Sequence, residues 1–154
     1  MSRSRELTLG LLPLLIGLQF FYAGYAIRQA WHGYTDFRQL YCGAYMVRAG
    51  MRHEMYDLSL QKSIENRIIS LSPAVLPANH PTVEYLLLAP LSLFHFRLAY
   101  LLWTTLNLAA VAASIILLPV KGGWLKAFLF AGFAPISFAV IHGQDSMWLL
   151  PGYF

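Results

Sequence analysis

Residues 7–27 form an apolar segment without a charged side chain, and this segment constrains the fold more than any other feature of the chain. At a rise of about 1.5 Å per residue, a helix of about 20 residues crosses the hydrocarbon core of a bilayer, which is about 30 Å thick. The segment is longer than the apolar region of a secretory signal peptide, which has about 7–15 residues. We therefore interpret it as an uncleaved membrane helix.

The composition extends this interpretation to the whole chain. Hydrophobic residues make up 58% of the 154 residues and charged residues 12%, whereas a soluble domain has about 25% charged residues. The net charge is +4, but the basic residues are dispersed among apolar runs, so we expect membrane lipids and no nucleic acid as partners. The chain is therefore interpreted as an integral membrane protein. Its one cysteine, Cys42, excludes an internal disulfide.

Further apolar segments follow the first one. Residues 98–118 are long enough to span a membrane, and residues 125–141 form a shorter span with Pro135 inside it. Residues 83–94 are too few to cross and are typical of a short or re-entrant helix. Residues 147–154 begin a further span. The sequence thus predicts an all-α fold, a multi-spanning helical membrane protein with a single membrane domain over residues 1–154.

Residues 28–81 form one long polar region, which we interpret as an external loop with two amphipathic helices. In the first helix Arg38 falls on the polar side, and apolar residues recur at helical spacing: Phe37, Leu40, Tyr41, Ala44, Tyr45 and Val47. In the second helix Asp57 is the expected N-cap, and the helix ends before Pro73. The two helices either lie on the bilayer or pack against each other outside the membrane. Charge alone leaves the membrane orientation open, because the short and long loops favour opposite directions.

Three blocks of the chain carry a recognisable order of residues. The first contains Thr35-Asp36-Phe37, Tyr41, Ala44, Gly50 and Met55-Tyr56-Asp57. The second contains His80-Pro81-Thr82-Val83 and Leu88-Ala89-Pro90-Leu91. The third contains Ala134-Pro135 and His142-Gly143-Gln144. Together they resemble the N-terminal portion of glycosyltransferase family 87, except that His80-Pro81-Thr82 stands where the family has a Pro-Pro pair.

The resemblance implies a type C glycosyltransferase fold and a polyprenyl-phosphate-linked sugar donor, with mannose as the sugar in many members. In this family an acidic residue of the first external loop deprotonates the acceptor hydroxyl, and Asp36 matches that residue. Asp36 follows a membrane span, so we expect it at headgroup depth, where a lipid-linked substrate presents its phosphate. The alternative is that Asp36 only caps the helix that begins at Phe37.

Five further residues are candidates for substrate binding. Arg28 and Arg38 offer guanidinium groups to the donor phosphate, or else extend to lipid headgroups. Tyr41 belongs to the first block. His80 binds phosphate, relays a proton or is an ordinary interfacial histidine, and Gln144 is either a functional polar group after a membrane segment or a loop residue. No spacing of His, Cys and Asp indicates a metal site, so no cofactor is predicted, and a divalent metal at the donor phosphate has no support in the sequence.

The resemblance therefore implies a hexosyltransferase of the cell envelope that acts on the outer face of a bacterial inner membrane and has a lipid or glycan acceptor. The alternatives are a non-catalytic membrane protein, such as a transporter fragment or an assembly subunit, and a truncated inactive relative. Transporters place ionisable groups within their spans, whereas here the polar residues gather beside them. We expect these 154 residues alone to be inactive, because later helices close a type C site.

Overall fold

The computed structural model describes residues 3–119, 123, 126 and 134–148, and every regular element among them is a helix. In chain order these are α1 (Arg3–Trp31), α2 (Phe37–Arg48), α3 (Leu58–Ile68), α4 (Thr82–Leu88), a first 3-10 helix (Ala89–Leu93), α5 (Phe96–Leu117), α6 (Ala134–His142) and a second 3-10 helix (Asp145–Trp148). The all-α class is thus confirmed for the described residues. The chain divides into two compact units. We call residues 29–105 the central unit, and residues 1–28 with 106–154 the terminal unit.

Among the described residues, two helices are long and apolar enough to span a membrane, and they lie where the sequence predicts spans. They are Gly10–Trp31, which is most of α1, and Phe96–Leu117, which is α5. Along α1, large apolar side chains are exposed, with Phe20 at 75% and Phe21 at 81%. A soluble protein rarely leaves so continuous an apolar surface in water, so we assign this surface to lipid.

The predicted span at residues 125–141 is described only in part. Its last residues belong to α6, in which Ala139 and Val140 pack with Val111 of α5 in a small apolar cluster of the terminal unit. Apart from Lys126, the part of this span before α6 lies outside the described residues. Residues 149–154, most of the predicted further span, lie outside them as well.

Helix α2 forms the core of the central unit. Nine of its 12 residues are buried. Its apolar side chains pack with Tyr85 of α4 and Trp103 of α5, while Cys42 and Met46 pack with Ile64 of α3. A helix buried on most of its circumference has no apolar face left for lipid, so the interpretation of α2 as a helix on the bilayer surface is wrong. The structure agrees with the alternative, in which the two helices pack together.

Helix α3 begins at the predicted cap. Asp57 has an extended backbone, with φ −76° and ψ 103°, and its Oδ1 accepts hydrogen bonds from the backbone N–H groups of Ser59 at 2.9 Å and Leu60 at 3.1 Å. A hydrogen bond from the Ser59 hydroxyl and the backbone bonds lower the pKa of the Asp57 carboxyl. The prediction that Asp57 is the N-cap is confirmed.

Gly43 sets the separation between α2 and α4. A Cβ atom on Gly43 would lie 2.5 Å from two ring carbons of Tyr85, and the Tyr85 side chain is fully buried. In an isolated helix, alanine is more favourable than glycine by about 1 kcal/mol. At position 43, however, the Tyr85 ring would have to move. We therefore expect Gly43→Ala to lower the free energy of unfolding by about 1–3 kcal/mol, the usual cost of overpacking a core.

Thermal unfolding of the purified protein in detergent measures this loss. Gly24→Ala in α1 is the control, because no atom lies within 4 Å of a Cβ placed there. Equal unfolding temperatures for the two variants would contradict the close approach of α2 and α4.

Between α3 and α5 the chain forms a short apolar segment that returns to the end of α1. Helix α4 and the first 3-10 helix together cover Thr82–Leu93, which is shorter than a span. At the start of α5, the guanidinium of Arg97 lies 5.2 Å from the ring centroid of Trp31, the last residue of α1. The chain therefore enters α5 close to the point where it leaves α1. That residues 83–94 do not cross the membrane stays a prediction.

Candidate functional site

Asp36 lies between α1 and α2 on a rigid support. Its neighbours Thr35 and Phe37 are buried, and the Phe37 ring centroid is 5.8 Å from that of Phe96 and 6.1 Å from that of Trp103. Asp36 itself is partly exposed. Packing of the aromatic neighbours thus fixes the backbone that carries the carboxylate, a few residues beyond the end of the α1 span.

Asp36 occupies the N-cap position of α2 but does not cap the helix. Its backbone is helical, with φ −63° and ψ −28°, and its side chain makes no capping hydrogen bond. A capping side chain extends from a residue with a non-helical backbone, as Asp57 does. The interpretation of Asp36 as a helix cap is therefore wrong, and α2 does not need this carboxylate in order to begin.

Arg38 is buried in an ion pair, contrary to its predicted place on the polar side of α2. Its side chain is 2% exposed, and Nε donates to Oε2 of Glu65 at 2.7 Å. Nη1 donates to the Ser70 hydroxyl oxygen at 3.0 Å, and Nη2 donates to the Ser70 carbonyl oxygen at 2.8 Å. A donor phosphate would have to displace these partners. The structure thus gives Arg38 a structural role, and its role in phosphate binding stays a prediction.

The Arg38–Glu65 pair joins α2 to α3 inside the central unit. Burial raises the pKa of the Glu65 carboxyl, and the hydrogen bond and charge of Arg38 oppose this rise. Gly33 makes room for the pair, because a Cβ atom there would lie 2.8 Å from the Ser70 hydroxyl oxygen. Its backbone φ of +87° also favours glycine. The interaction holds both helices and the end of α1 in one arrangement.

Tyr41 and Arg28 have contrasting surroundings. Tyr41 is 4% exposed, and its hydroxyl donates to the Phe94 carbonyl oxygen at 2.7 Å. Burial raises the pKa of this phenol, although the charge of Arg48 opposes the rise. Tyr41 is thus engaged within the protein and is poorly placed to contact a substrate. Arg28, in the last turn of α1, is exposed, and its role in phosphate binding stays a prediction.

His80 forms a pair with Glu84, one helical turn later. Its Nδ1 lies 3.0 Å from Oε2 of Glu84, and the two side chains are 21% and 23% exposed. The backbone N–H of His80 donates to the Tyr85 hydroxyl oxygen at 3.0 Å, and burial raises the pKa of Tyr85 to about 12. A carboxylate at one ring nitrogen fixes the tautomer and orientation of a histidine. The pair is therefore suited to proton transfer or to holding an anionic group.

In the terminal unit, His142 at the end of α6 contacts α1. Its Nε2 lies 3.0 Å from the Tyr22 hydroxyl oxygen, and its ring stacks on Phe138 with 4.1 Å between the centroids. The backbone N–H of Gln144 donates to the Ala139 carbonyl oxygen at 2.9 Å and so ends α6. Gln144 is partly exposed just beyond this end. The third block thus places the His142 imidazole at the end of α6 and the Gln144 amide two residues later.

The partners of Arg38, His80 and His142 differ in how visible they are in the sequence. Glu84 lies four residues after His80 in a helix, a spacing that brings side chains together, so this pair had a local signal. Glu65 and Tyr22 had none, because they lie 27 and 120 residues from Arg38 and His142, respectively. Such pairs become visible only when the helices are packed.

Among the described residues, two apolar helices of spanning length point to a helical membrane protein. A family model described as glycosyltransferase family 87 matches residues 80–152. Over these residues the chain is similar to glycosyltransferase family 87, which confirms the resemblance noted in the sequence. Comparisons with curated proteins and with solved structures gave no match. The matched segment begins at His80 and includes Gln144, whereas Asp36 precedes it.

Proposed function

We propose that the protein transfers a sugar, with mannose as the first candidate, from a polyprenyl-phosphate donor to a lipid or glycan acceptor on the outer face of a bacterial inner membrane. The observation that carries the proposal is the match of residues 80–152 to glycosyltransferase family 87. Two helices of spanning length support a substrate held in the membrane. A multi-spanning type C fold is part of the same proposal.

Asp36 is proposed as the general base. Its carboxylate takes the proton from the acceptor hydroxyl, whose oxygen attacks the anomeric carbon while the polyprenyl phosphate leaves. A positioned base of this kind contributes about a hundredfold to ten-thousandfold in rate. The position of Asp36 beside buried Thr35 and Phe37 supports this role, since a general base must be held in place.

His80 and Gln144, both within the matched segment, are proposed to bind substrate, and Arg28 is proposed to bind the donor phosphate. The contact of Glu84 with Nδ1 of His80 supports proton relay or phosphate binding by the imidazole. Arg28 is exposed in the last turn of α1, near the end of the candidate span. A guanidinium at the end of a span can extend to lipid phosphates.

Sugar transfer itself tests the proposal. The complete gene product, purified in detergent, is incubated with a radiolabelled mannosyl polyprenyl phosphate and with membrane lipid extract as the acceptor. We expect label to move into a new lipid or glycan product. Release of free mannose only, or no consumption of donor by a folded protein, would contradict a transferase of this class.

The orientation of the central unit is tested by cysteine labelling. The native Cys42 is buried, and burial raises the pKa of its thiol to about 12, so we expect no reaction with a maleimide. Ser63 is exposed on α3. In intact cells, a membrane-impermeant maleimide should label Ser63→Cys and leave the unaltered protein unlabelled. Labelling of Ser63→Cys only after lysis would place the central unit in the cytoplasm and overturn the outer-face reaction.

A further inference from the structure

The central unit contains a pocket of about 230 Å³ that the proposed reaction does not use. It lies where α1 ends, α3 ends and α5 begins. Ile69 and Phe96 supply apolar walls, and the polar lining residues are His32, Ser70, His95 and Arg97. None of the described residues that line the pocket is acidic. The lining residues thus include one permanent positive charge and two imidazoles, and no carboxylate.

Arg97 has the geometry of an anion ligand. It is exposed, and its guanidinium lies over the Trp31 ring at 5.2 Å. Contact with an aromatic face orients a guanidinium without using its N–H groups as hydrogen-bond donors. Among the described residues Arg97 has no carboxylate partner. It thus differs from Arg38, whose donors are taken by Glu65 and Ser70.

The two histidines add hydrogen-bond donors at the same place. Nδ1 of His95 accepts a hydrogen bond from the backbone N–H of Leu98 at 3.2 Å, so the proton of the neutral ring lies on Nε2, which is then a donor. The His32 carbonyl oxygen accepts a hydrogen bond from the Ser70 hydroxyl at 2.8 Å, which fixes the backbone of His32 in the pocket wall. Both histidines are exposed and accessible to a ligand.

The pocket lies at the depth of lipid headgroups. Trp31 is the last residue of one candidate span, and Phe96 is the first residue of the other. Tryptophan is enriched at the membrane interface, and basic residues just outside a span attract anionic lipids. Phosphate is the anionic group that all phospholipid headgroups present at this depth.

We propose that this pocket binds a phosphate group through Arg97, His32 and His95. Its position assigns the phosphate to the headgroup of an anionic phospholipid, although inorganic phosphate from solution has the same chemistry. The proposal concerns binding and does not depend on sugar transfer by the protein.

The test is a titration of the purified full chain in a neutral detergent, followed by isothermal calorimetry. The probes are a short-chain phosphatidylglycerol, a phosphatidylcholine of the same chain length, and inorganic phosphate. We expect saturable binding of phosphatidylglycerol and at least about tenfold weaker binding by Arg97→Gln, which corresponds to about 1.4 kcal/mol. Arg97→Lys keeps the charge but loses the paired donors, so it should bind with intermediate affinity.

Arg52→Gln is the matched control, because Arg52 is an exposed arginine of the same unit outside the pocket and its loss changes the net charge equally. Inorganic phosphate that binds with the same dependence on Arg97 supports the phosphate pocket and identifies solution as the source. Equal affinities of Arg97→Gln and Arg52→Gln, or phosphatidylcholine binding as tightly as phosphatidylglycerol, would overturn the proposal. Unfolding temperatures of all variants identify any that fail to fold, and His32→Gln then replaces Arg97→Gln as the test.

Discussion

Replacing Asp36 by asparagine in the complete gene product is expected to lower sugar transfer by at least about a hundredfold, because the amide cannot accept the proton of the acceptor hydroxyl. The folded structure should tolerate this change. The Asp36 side chain makes no capping hydrogen bond to α2, and Asn has nearly the same shape. Transfer of a radiolabelled sugar and thermal unfolding are measured on the same preparation. We expect a large change in the first and a small one in the second.

Asp57→Asn is the control for Asp36→Asn, since Asp57 is a carboxylate of the same unit that caps α3. Its substitution should leave the transfer rate within a few-fold of the unaltered protein, because Asn also serves as an N-cap. Near-normal transfer by a well-folded Asp36→Asn variant would remove Asp36 as the base. The search would then move to Glu84 and Asp145.

The spans and the helix ends were predictable from the sequence because they depend on local patterns. Charge-free apolar runs predicted the helices that the structure has at Arg3–Trp31 and Phe96–Leu117. Apolar residues at helical spacing predicted α2, and an Asp before the next apolar run predicted the start of α3 at the Asp57 cap. Each of these features is decided by residues within a few positions of one another.

The interior of the central unit was not predictable in the same way. A helical wheel places Arg38 on a polar face and therefore in water, yet the structure buries it against Glu65. A buried charge needs a partner of opposite charge. The partner of Arg38 lies 27 residues away in the sequence, on another helix. Periodicity also could not decide whether α2 lies on lipid or in a core, since both environments select the same apolar residues.

For the candidate site, the sequence identified residues but not their arrangement. Asp36 and His80 were singled out by their blocks, while the contact of His142 with Tyr22 depends on α6 packing against α1. Tyr41 was a candidate because it belongs to the first block, and the structure shows its hydroxyl bound to the carbonyl oxygen of Phe94. Residues of a family block thus include structural residues as well as possible ligands, and only the contacts separate them.

Arg38→Ala is expected to be the most damaging substitution for the stability of the central unit. It would leave the Glu65 carboxylate buried without its cation, and breaking a buried pair in this way typically costs about 3–5 kcal/mol. Glu65→Ala should cost about as much for the corresponding reason. Arg48→Ala is the control, because Arg48 is exposed and donates to the Ser92 hydroxyl oxygen at 2.8 Å and to the Ser92 carbonyl oxygen at 3.2 Å. Partly exposed hydrogen bonds of this kind are worth about 1 kcal/mol each.

The double variant Arg38→Met with Glu65→Leu removes both charges. Comparing it with the single variants shows how much of the lost stability comes from leaving one charge unpaired. Both charges are then absent and the volume is largely retained, so the double variant should be more stable than either Arg38→Met or Glu65→Leu alone. Chemical unfolding in detergent gives all of these differences. Arg38 would be a phosphate ligand if Arg38→Ala instead kept its stability and raised the KM for the donor with little change in kcat. That pattern marks a contact made equally in the ground and transition states. The burial of the guanidinium and its bonds to Glu65 and Ser70 lead us to expect the first result, a loss of folded protein that removes donor binding and transfer together.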